Sequence, residues 1–297
     1  MVAGVSRVLS YDVGGSHISA AVCSEADLSL GPVVKAQLPE EQSAEAFLDV
    51  LTQLAAQAAA LPKSTGGAGF AMPGPFDYAE GISWMKHKMP YLYGVNLRDA
   101  LAKRMGWDGG QVRFLNDAAA YLLGEVGAGA ARGVGRVAGF TLGTGIGSGF
   151  AVNGRIVTEG PGVPPGGEIW NVPFEGGIVE DLISTRSIKR AYRERTGSER
   201  DVEEIARGAA SDPAAIEVFA EFGRNLGRVV RIKLHDFAPD AIVLGGGIAH
   251  SAHLFLRAAW QELEGVPLEL RISQLWEKAP LVGTAVAWFA LAEAKKA

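Results

Sequence analysis

Hydrophobic positions along the chain fall into short strand-like runs broken by glycine turns, with stretches of helical spacing between them. Val8 to Asp12, the turn Val13-Gly-Gly-Ser16 and His17 to Cys23 read as a β-hairpin, apolar on both sides of the glycines. Ser43 stands where it can cap a helix whose Phe47, Leu51, Leu54 and Ala58 recur at helical spacing. Ala68 to Met72 reads as a strand running into Pro73-Gly74-Pro75, a turn stiffened by two prolines. Asn96 is placed to cap a short helix through Met105. Val112 to Leu115 reads as a buried strand and Ala118 to Val126 as a helix. Asn116 and Asp117 therefore stand where a strand gives way to a helix, the edge of an α/β sheet at which ligands bind.

The first hairpin has a second copy about 130 residues later: a strand at Val137 to Leu142, a glycine turn, and a returning strand at Gly149 to Val152. This repetition predicts two related α/β domains facing each other across a cleft. The pattern places residues 1–116 in a smaller N-terminal domain and 117–284 in a larger C-terminal one. The final segment, 285–297, is expected to pack back on the first domain, with Ala285 to Lys296 an amphipathic helix. Gly160 to Gly167 is a proline- and glycine-rich loop leading to Glu168-Ile-Trp-Asn171, and a helix starting near Ile178 carries Glu180. Asp201 and Glu204 form a capping-box start. Pro213 to Phe237 reads as one or two helices with Ile216, Phe219, Leu226 and Val230 inward. Ala241 to Leu244 is a buried strand ending in Gly245-Gly-Gly and a helix start.

Composition narrows the class. The chain of 297 residues has room for two domains, and 48% hydrophobic with 21% charged residues is the balance of a soluble globular protein. A net charge of −5 without a basic tract gives no reason to expect nucleic acid or an anionic membrane as partner. No apolar run reaches the roughly 18 residues of a membrane helix, and no signal-peptide series is visible. Cys23 is the only cysteine, which excludes intrachain disulfides and cysteine-built zinc sites. A reducing cytoplasm is the expected compartment. His17, His87, His235, His250 and His253 show no metal-binding spacing.

The chemistry lies at the turns. Gly14 and Gly15 permit positive φ and leave backbone N–H groups uncovered for a polyphosphate, and Asp12 beside them can hold a hydrated magnesium ion. An ordinary hairpin turn explains the same residues. Four glycines and Thr144 within the second turn suit a phosphate better than they suit packing. Gly245 to Gly247, followed by a helix start, form a seat for an anion or nucleotide. Glu168, Asn171 and Glu180 around one loop offer the acceptors and donors that sugar hydroxyls need, although a solvated loop edge is equally acidic. One acid, Asp117, between two phosphate-sized turns suggests phosphoryl transfer, while Asp is also a common helix cap.

In order along the chain, Asp12-Val-Gly-Gly-Ser16, Pro73-Gly-Pro75, Leu115-Asn-Asp117, Leu142-Gly-Thr-Gly-Ile-Gly-Ser148, Gly167-Glu-Ile169, Glu180 with Ser184, and Leu244-Gly-Gly-Gly-Ile248 resemble the ROK family of glucokinase-like sugar kinases and related repressors. The resemblance spans nearly the whole chain. It implies the actin-like ATPase fold, two ribonuclease H-like α/β domains closing on their substrates, and a homodimer. It implies an ATP- and magnesium-dependent hexokinase acting on the primary hydroxyl of glucose or a close relative. Asp117 would be the base, its ionised form favoured by the helix N-terminus. Asn116, Glu168 and Glu180 would bind the sugar, with Gly74 and Asn171 in the same pocket. Gly14, Gly15, Ser16, Thr144 and Gly145 would hold the ATP phosphates, Gly246 and Gly247 would line the adenosine pocket, and Asp12 would lie near the magnesium.

Two departures stand out. The family usually follows its first glutamate with Ile-Gly-His, whose histidine contacts sugar and binds zinc; here the run is Ile169-Trp170-Asn171. The stretch of the zinc cysteines reads Phe174-Glu-Gly-Gly-Ile-Val179, so no zinc is expected. Alternatives are inorganic polyphosphate as donor, a sugar-binding pseudoenzyme, and a repressor. The last needs a DNA-binding domain ahead of the first hairpin, where this chain has only about ten residues.

Overall fold

The computed structural model describes residues 7–58 and 65–294. Within them, one compact unit runs to Ala128 and resumes at Glu277, and a second comprises Gly129–Trp276.

In the first unit, β1 (Arg7–Val13) and β2 (His17–Ser24) form the expected hairpin, and β3 (Val34–Gln37) pairs antiparallel to β2. The helix α1 (Ala44–Gln57) starts at Ser43, whose side chain accepts the Ala46 N–H at 3.1 Å. Next come β4 (Ala68–Met72), a small hairpin of β5 (Phe76–Asp77) and β6 (Ile82–Ser83), α2 (Leu97–Met105) capped by Asn96, β7 (Val112–Asn116) and α3 (Asp117–Ala128). The sheet order is β3-β2-β1-β4-β7, with β1, β4 and β7 parallel. Asp12, Met72 and Asn116 thus reach the same edge.

Alternation along β1 separates two faces. Leu9, Tyr11 and Val13 pack with Phe47, Leu51 and Leu54 of α1. The rings of Tyr11, Phe70 and Phe114 stack across three strands at 4.4 and 5.1 Å, and the Tyr11 hydroxyl donates to the Leu51 carbonyl. On the other face Val8 and Cys23 meet Ala285, Trp288 and Phe289 of the last helix, Ala279–Ala294. That helix begins earlier than the pattern predicts. Its first part is also not amphipathic: Leu281, Val282, Gly283, Thr284 and Ala285 are buried at five successive positions, which carries burial all the way round the helix. Residues 295–297 of the predicted segment lie outside the described residues. Gly283 presses on the Ala120 backbone and Gly124 on that of Ala279, approaches that any side chain would block. This lengthwise packing keeps α3 and everything from Glu277 in the first unit, where the sequence pattern drew the boundaries at 116/117 and 284/285.

The second unit repeats the arrangement. β8 (Arg136–Leu142) and β9 (Ile146–Val152) form its hairpin, with β10 (Arg155–Ile156) antiparallel to β9. The minor hairpin of β11 (Pro173–Phe174) and β12 (Gly177–Ile178) leads into α4 (Val179–Leu182). The helices α5 (Thr185–Thr196), α6 (Val202–Gly208) and α7 (Pro213–Lys233) follow, then β13 (Ala241–Gly245), α8 (Ala252–Glu262) and β14 (Glu269–Ile272). The order β10-β9-β8-β13-β14, with β8, β13 and β14 parallel, has the same directions as the first sheet. The internal repeat is real at the level of topology.

Two expectations are corrected in this unit. The second glycine turn is shorter than the pattern implies, since Ile146 already pairs with Leu142 and Gly147 and Gly149 belong to β9. Ile216 is 51% exposed. The buried stripe of α7, a single helix, runs through Ala215, Val218, Phe219, Phe222 and Leu226, and Ile216 lies beside it.

Candidate active site

In the first unit the candidate residues collect where the parallel strands end. Asp12 is paired in register with Ala71 of β4, and Met72 with Asn116 of β7, so the Pro73-Gly74 turn lies between the two acidic strand ends. Burial, together with the carboxylates of Asp117 and Glu277, pushes Asp12 up to about 7, and Lys35 partly offsets this. Lys35 itself is ion-paired with Glu277 at 2.7 Å. An acid strained by like charge and desolvation fits a site for a hydrated cation.

At the strand–helix junction the capping is done by Asn116. Its Oδ1 accepts the N–H groups of Ala118 at 2.9 Å and Ala119 at 3.1 Å, and its Nδ2 donates to the Tyr78 hydroxyl at 3.3 Å. Asp117 Oδ1 accepts the Ala118 N–H at 2.8 Å. The carboxylate of Asp117 is therefore carried on a helix start that Asn116 secures.

The first glycine turn is tight but holds no left-handed residue. Gly14 and Gly15 are absent from the positive-φ positions, contrary to the reason the sequence gives for glycine there. What glycine supplies is open backbone: a Cβ on Gly15 would meet nothing within 4 Å, and Ser16 is exposed. The Ser16 hydroxyl lies 3.2 Å from His17 Nδ1.

Gly74 lines a cavity of about 550 Å³ with Pro75, Trp84, Met85, Lys86, His87, Lys88 and Tyr93. Trp84 and Tyr93 are 44% and 47% exposed and meet edge to face at 5.6 Å, with Lys86 Nζ over the Tyr93 ring. Sequence reading passed over this segment. Its signal is the run Trp84-Met-Lys-His-Lys88 directly after a strand pair, aromatic and cationic with no helical or strand period.

The second unit holds the other candidates. Thr144 is exposed at the tip of the β8–β9 turn, whose Gly143 carbonyl accepts the Thr185 N–H at 2.8 Å. Gly145 abuts the carboxylate of Glu180, which accepts the Ile146 N–H at 3.4 Å and pairs with Arg186 at 3.0 Å. Arg186 has no motif around it in the sequence. Its part emerges only because Ser184 caps α5 and sets the helix beside Glu180. The buried Ser148 hydroxyl donates to the Gly167 carbonyl at 2.6 Å and accepts the Ile169 N–H at 2.9 Å, which fixes the backbone on both sides of Glu168. The indole of Trp170 donates to Glu168 Oε2 at 3.0 Å. Asn171 is exposed.

Gly245 of β13 pairs with Thr141 of β8, bringing the triple-glycine turn to the sheet edge that carries Thr144. Gly246, at φ +81°, sits on the Leu142 backbone, while Gly247 is open. The structure thus gathers Asp12, Gly74, Asn116 and Asp117 at one sheet edge of the first unit. In the second it gathers Thr144, Gly145, Glu180, Gly246 and Gly247, with Glu168 tied in through Ser148 and Trp170.

A family model described as the ROK family matches residues 8–291. The chain belongs to the ROK family. Its relatives include a glucokinase from Thermotoga maritima, 29% identical over 279 residues with 84% of each chain covered. An N-acetyl-D-glucosamine kinase from Pectobacterium atrosepticum is 26% identical over 265 residues, covering 82% of this chain and 85% of that one. Among solved structures, a ROK hexokinase from Thermus thermophilus superimposes with a TM-score of 0.81 at 27% identity, over 98% of this chain and all of the other. The actin-like ATPase fold of ROK sugar kinases is the fold of this protein. In this ROK chain the stretch Phe174 to Ile178 spans the turn of the β11–β12 hairpin, and Arg228 pairs with its Glu175 at 3.1 Å. Among the described residues no helix is long and apolar enough to cross a membrane.

Proposed function

We propose that this ROK sugar kinase transfers the γ-phosphoryl group of ATP to the primary hydroxyl of a hexose, with Asp117 as the general base. The observation that carries the reading is the position of Asp117: a carboxylate at the end of β7, on a helix start capped by its neighbour, beside the Pro73-Gly74 turn and the acid of β1. Phosphoryl transfer asks the protein for positioning, charge neutralisation and one proton acceptor. Asp117 supplies the acceptor. Gly15 and Ser16, in the turn that Gly14 closes by donating to the His17 carbonyl, and Thr144 with Gly145 would offer backbone N–H groups to the phosphates, and the Gly246-Gly247 turn, open at Gly247, would line the adenosine. Asp12 would hold magnesium through water, and the ion would neutralise charge on the phosphates.

One named relative is a glucokinase and another an N-acetyl-D-glucosamine kinase, so glucose and an N-acetylhexosamine are the acceptors to weigh. The cavity of about 550 Å³ beside Gly74 gives a substituent room. Glu168, Glu180 and Asn171 would hold the ring hydroxyls. ADP release measured over glucose, mannose, fructose, N-acetylglucosamine and N-acetylmannosamine, in wild type and Asp117→Asn, tests the reading. Turnover on at least one sugar, lost in the variant, is the expected result.

A further inference from the structure

We propose that Trp170 is a positioning residue that sets the carboxylate of Glu168 for the acceptor sugar and ties it to Glu180; this rests on the kinase reading given above. Three observations carry it. The indole Nε1–H donates to Glu168 Oε2 at 3.0 Å. The backbone carbonyl of the same residue accepts the Glu180 N–H at 3.0 Å. The backbone flanking Glu168 is already immobilised, because Ser148 bonds to both Gly167 and Ile169. With the main chain fixed, the freedom left to Glu168 is that of its own side-chain torsions, and the indole removes it.

The geometry also divides the work of the carboxylate. The indole N–H occupies one acceptor position on Oε2, which anchors the carboxylate at that oxygen and leaves Oε1 for a hydroxyl. A carboxylate anchored at one oxygen presents its remaining acceptor positions in fixed directions, whereas a free carboxylate swivels. Pre-ordering of this kind appears in substrate affinity and discrimination more than in the chemical step. Trp170 is 40% exposed and stands outside the residues packed on the core of its unit, so a ring-for-ring replacement is expected to leave the fold in place.

The Glu180 side extends the tie. Its carboxylate backs onto Gly145 and pairs with Arg186. Through its side chain and its carbonyl, Trp170 thus joins the two acidic residues that the kinase reading gives to the sugar.

Trp170→Phe keeps an aromatic ring and the backbone while removing the donor together with part of the indole's area, and the melting temperature reports the second loss. With turnover by the wild type established, the expected result is a KM for the preferred sugar raised about five- to tenfold with kcat within about twofold, the scale of the net contribution of one solvent-exposed hydrogen bond. Discrimination between sugars should narrow, and Trp170→His, which can donate again, should recover part of the loss. The same substitution in a Glu168→Ala background should add nothing further, because its effect runs through Glu168. Unchanged KM and selectivity in a Trp170→Phe protein of wild-type melting temperature would overturn the inference alone. An equal penalty in the Glu168→Ala background would overturn it too, by showing a general structural role. If the wild type neither turns over any sugar of the panel nor binds one by calorimetry, the kinase reading fails and this inference falls with it.

Discussion

Gly145 lies so close to Glu180 that any side chain at position 145 would run into the glutamate carboxylate. The β8–β9 turn and one of the acids assigned to the sugar are therefore in mechanical contact. The obstructing atoms are the far end of a flexible side chain, so Gly145→Ala can be accommodated by swinging Glu180 away rather than by unfolding. We expect a melting temperature close to wild type and a fall of about 10²-fold in kcat/KM, the scale of a misplaced active-site group. Steady-state kinetics beside thermal melts would check both.

The raised pKa of Asp12 fixes the sign of a pH effect. Its folded-state value of about 7 stands above the 3.8 of an unperturbed aspartate, so the folded protein holds an extra proton between those limits. Stability from this group is full below about pH 4 and is lost as pH rises through about 7. Denaturant melts without divalent cation should accordingly show stability falling over that window, and Asp12→Asn should flatten the fall. Magnesium bound at the ionised carboxylate should stabilise more at pH 8 than at pH 6. An equal magnesium effect at both pH values, or none in either, would count against Asp12 as the cation's partner.

Asn116 caps α3 through two backbone N–H groups. Asn116→Ala should cost about 1 kcal/mol of stability, a melting-point drop of a few degrees for a chain of this size. Asn116→Asp, which keeps the accepting oxygen, should recover most of it. Calorimetry on the two variants separates the cap from any contact with substrate, since only the second would show in the KM for sugar.

Neighbouring glycines in the third turn should behave differently. Gly246 has φ +81° and a Cβ there would stand 2.5 Å from the Leu142 carbonyl oxygen, so Gly246→Ala strains the backbone and should cost roughly 1–3 kcal/mol. Gly247 has open space around it. Gly247→Ala should fold normally and raise the KM for ATP if this turn faces the adenosine, and nucleotide titrations of both variants would show the contrast.

Much of this fold could be read from local chemistry. Ser43, Asn96 and Asp201 announce helix starts by their own side chains, and the two hairpins show as apolar runs around glycines. The repeat of those hairpins carries the fold class, because a duplicated strand–turn–strand unit constrains topology as well as secondary structure. Failures came where tertiary contact decides. Ile216 and Phe219 share a helical spacing, yet only Phe219 meets the core, since the stripe is centred on Ala215 and Phe222. The last helix looks one-sided in sequence but is enclosed on every side through Ala285, because Gly283 and Gly124 allow α3 against it.

At the candidate site the acids and glycines were visible, and what orders them was not. The Trp170–Glu168 bond, the Arg186–Glu180 pair and the Trp84–Tyr93 wall depend on side-chain directions that no spacing encodes. Asn116 and Asp117 show the same limit. Both are good helix caps by type, and only the structure shows that Asn116 takes the task.

The most direct test of the account is coupled ADP release from ATP with a panel of hexoses and N-acetylhexosamines, run on wild type and Asp117→Asn together. The account predicts turnover on one or a few sugars and a loss of at least about 10²-fold in kcat in the variant, the lower range for a general base. Asp117→Asn retaining full activity on every accepted sugar would contradict it.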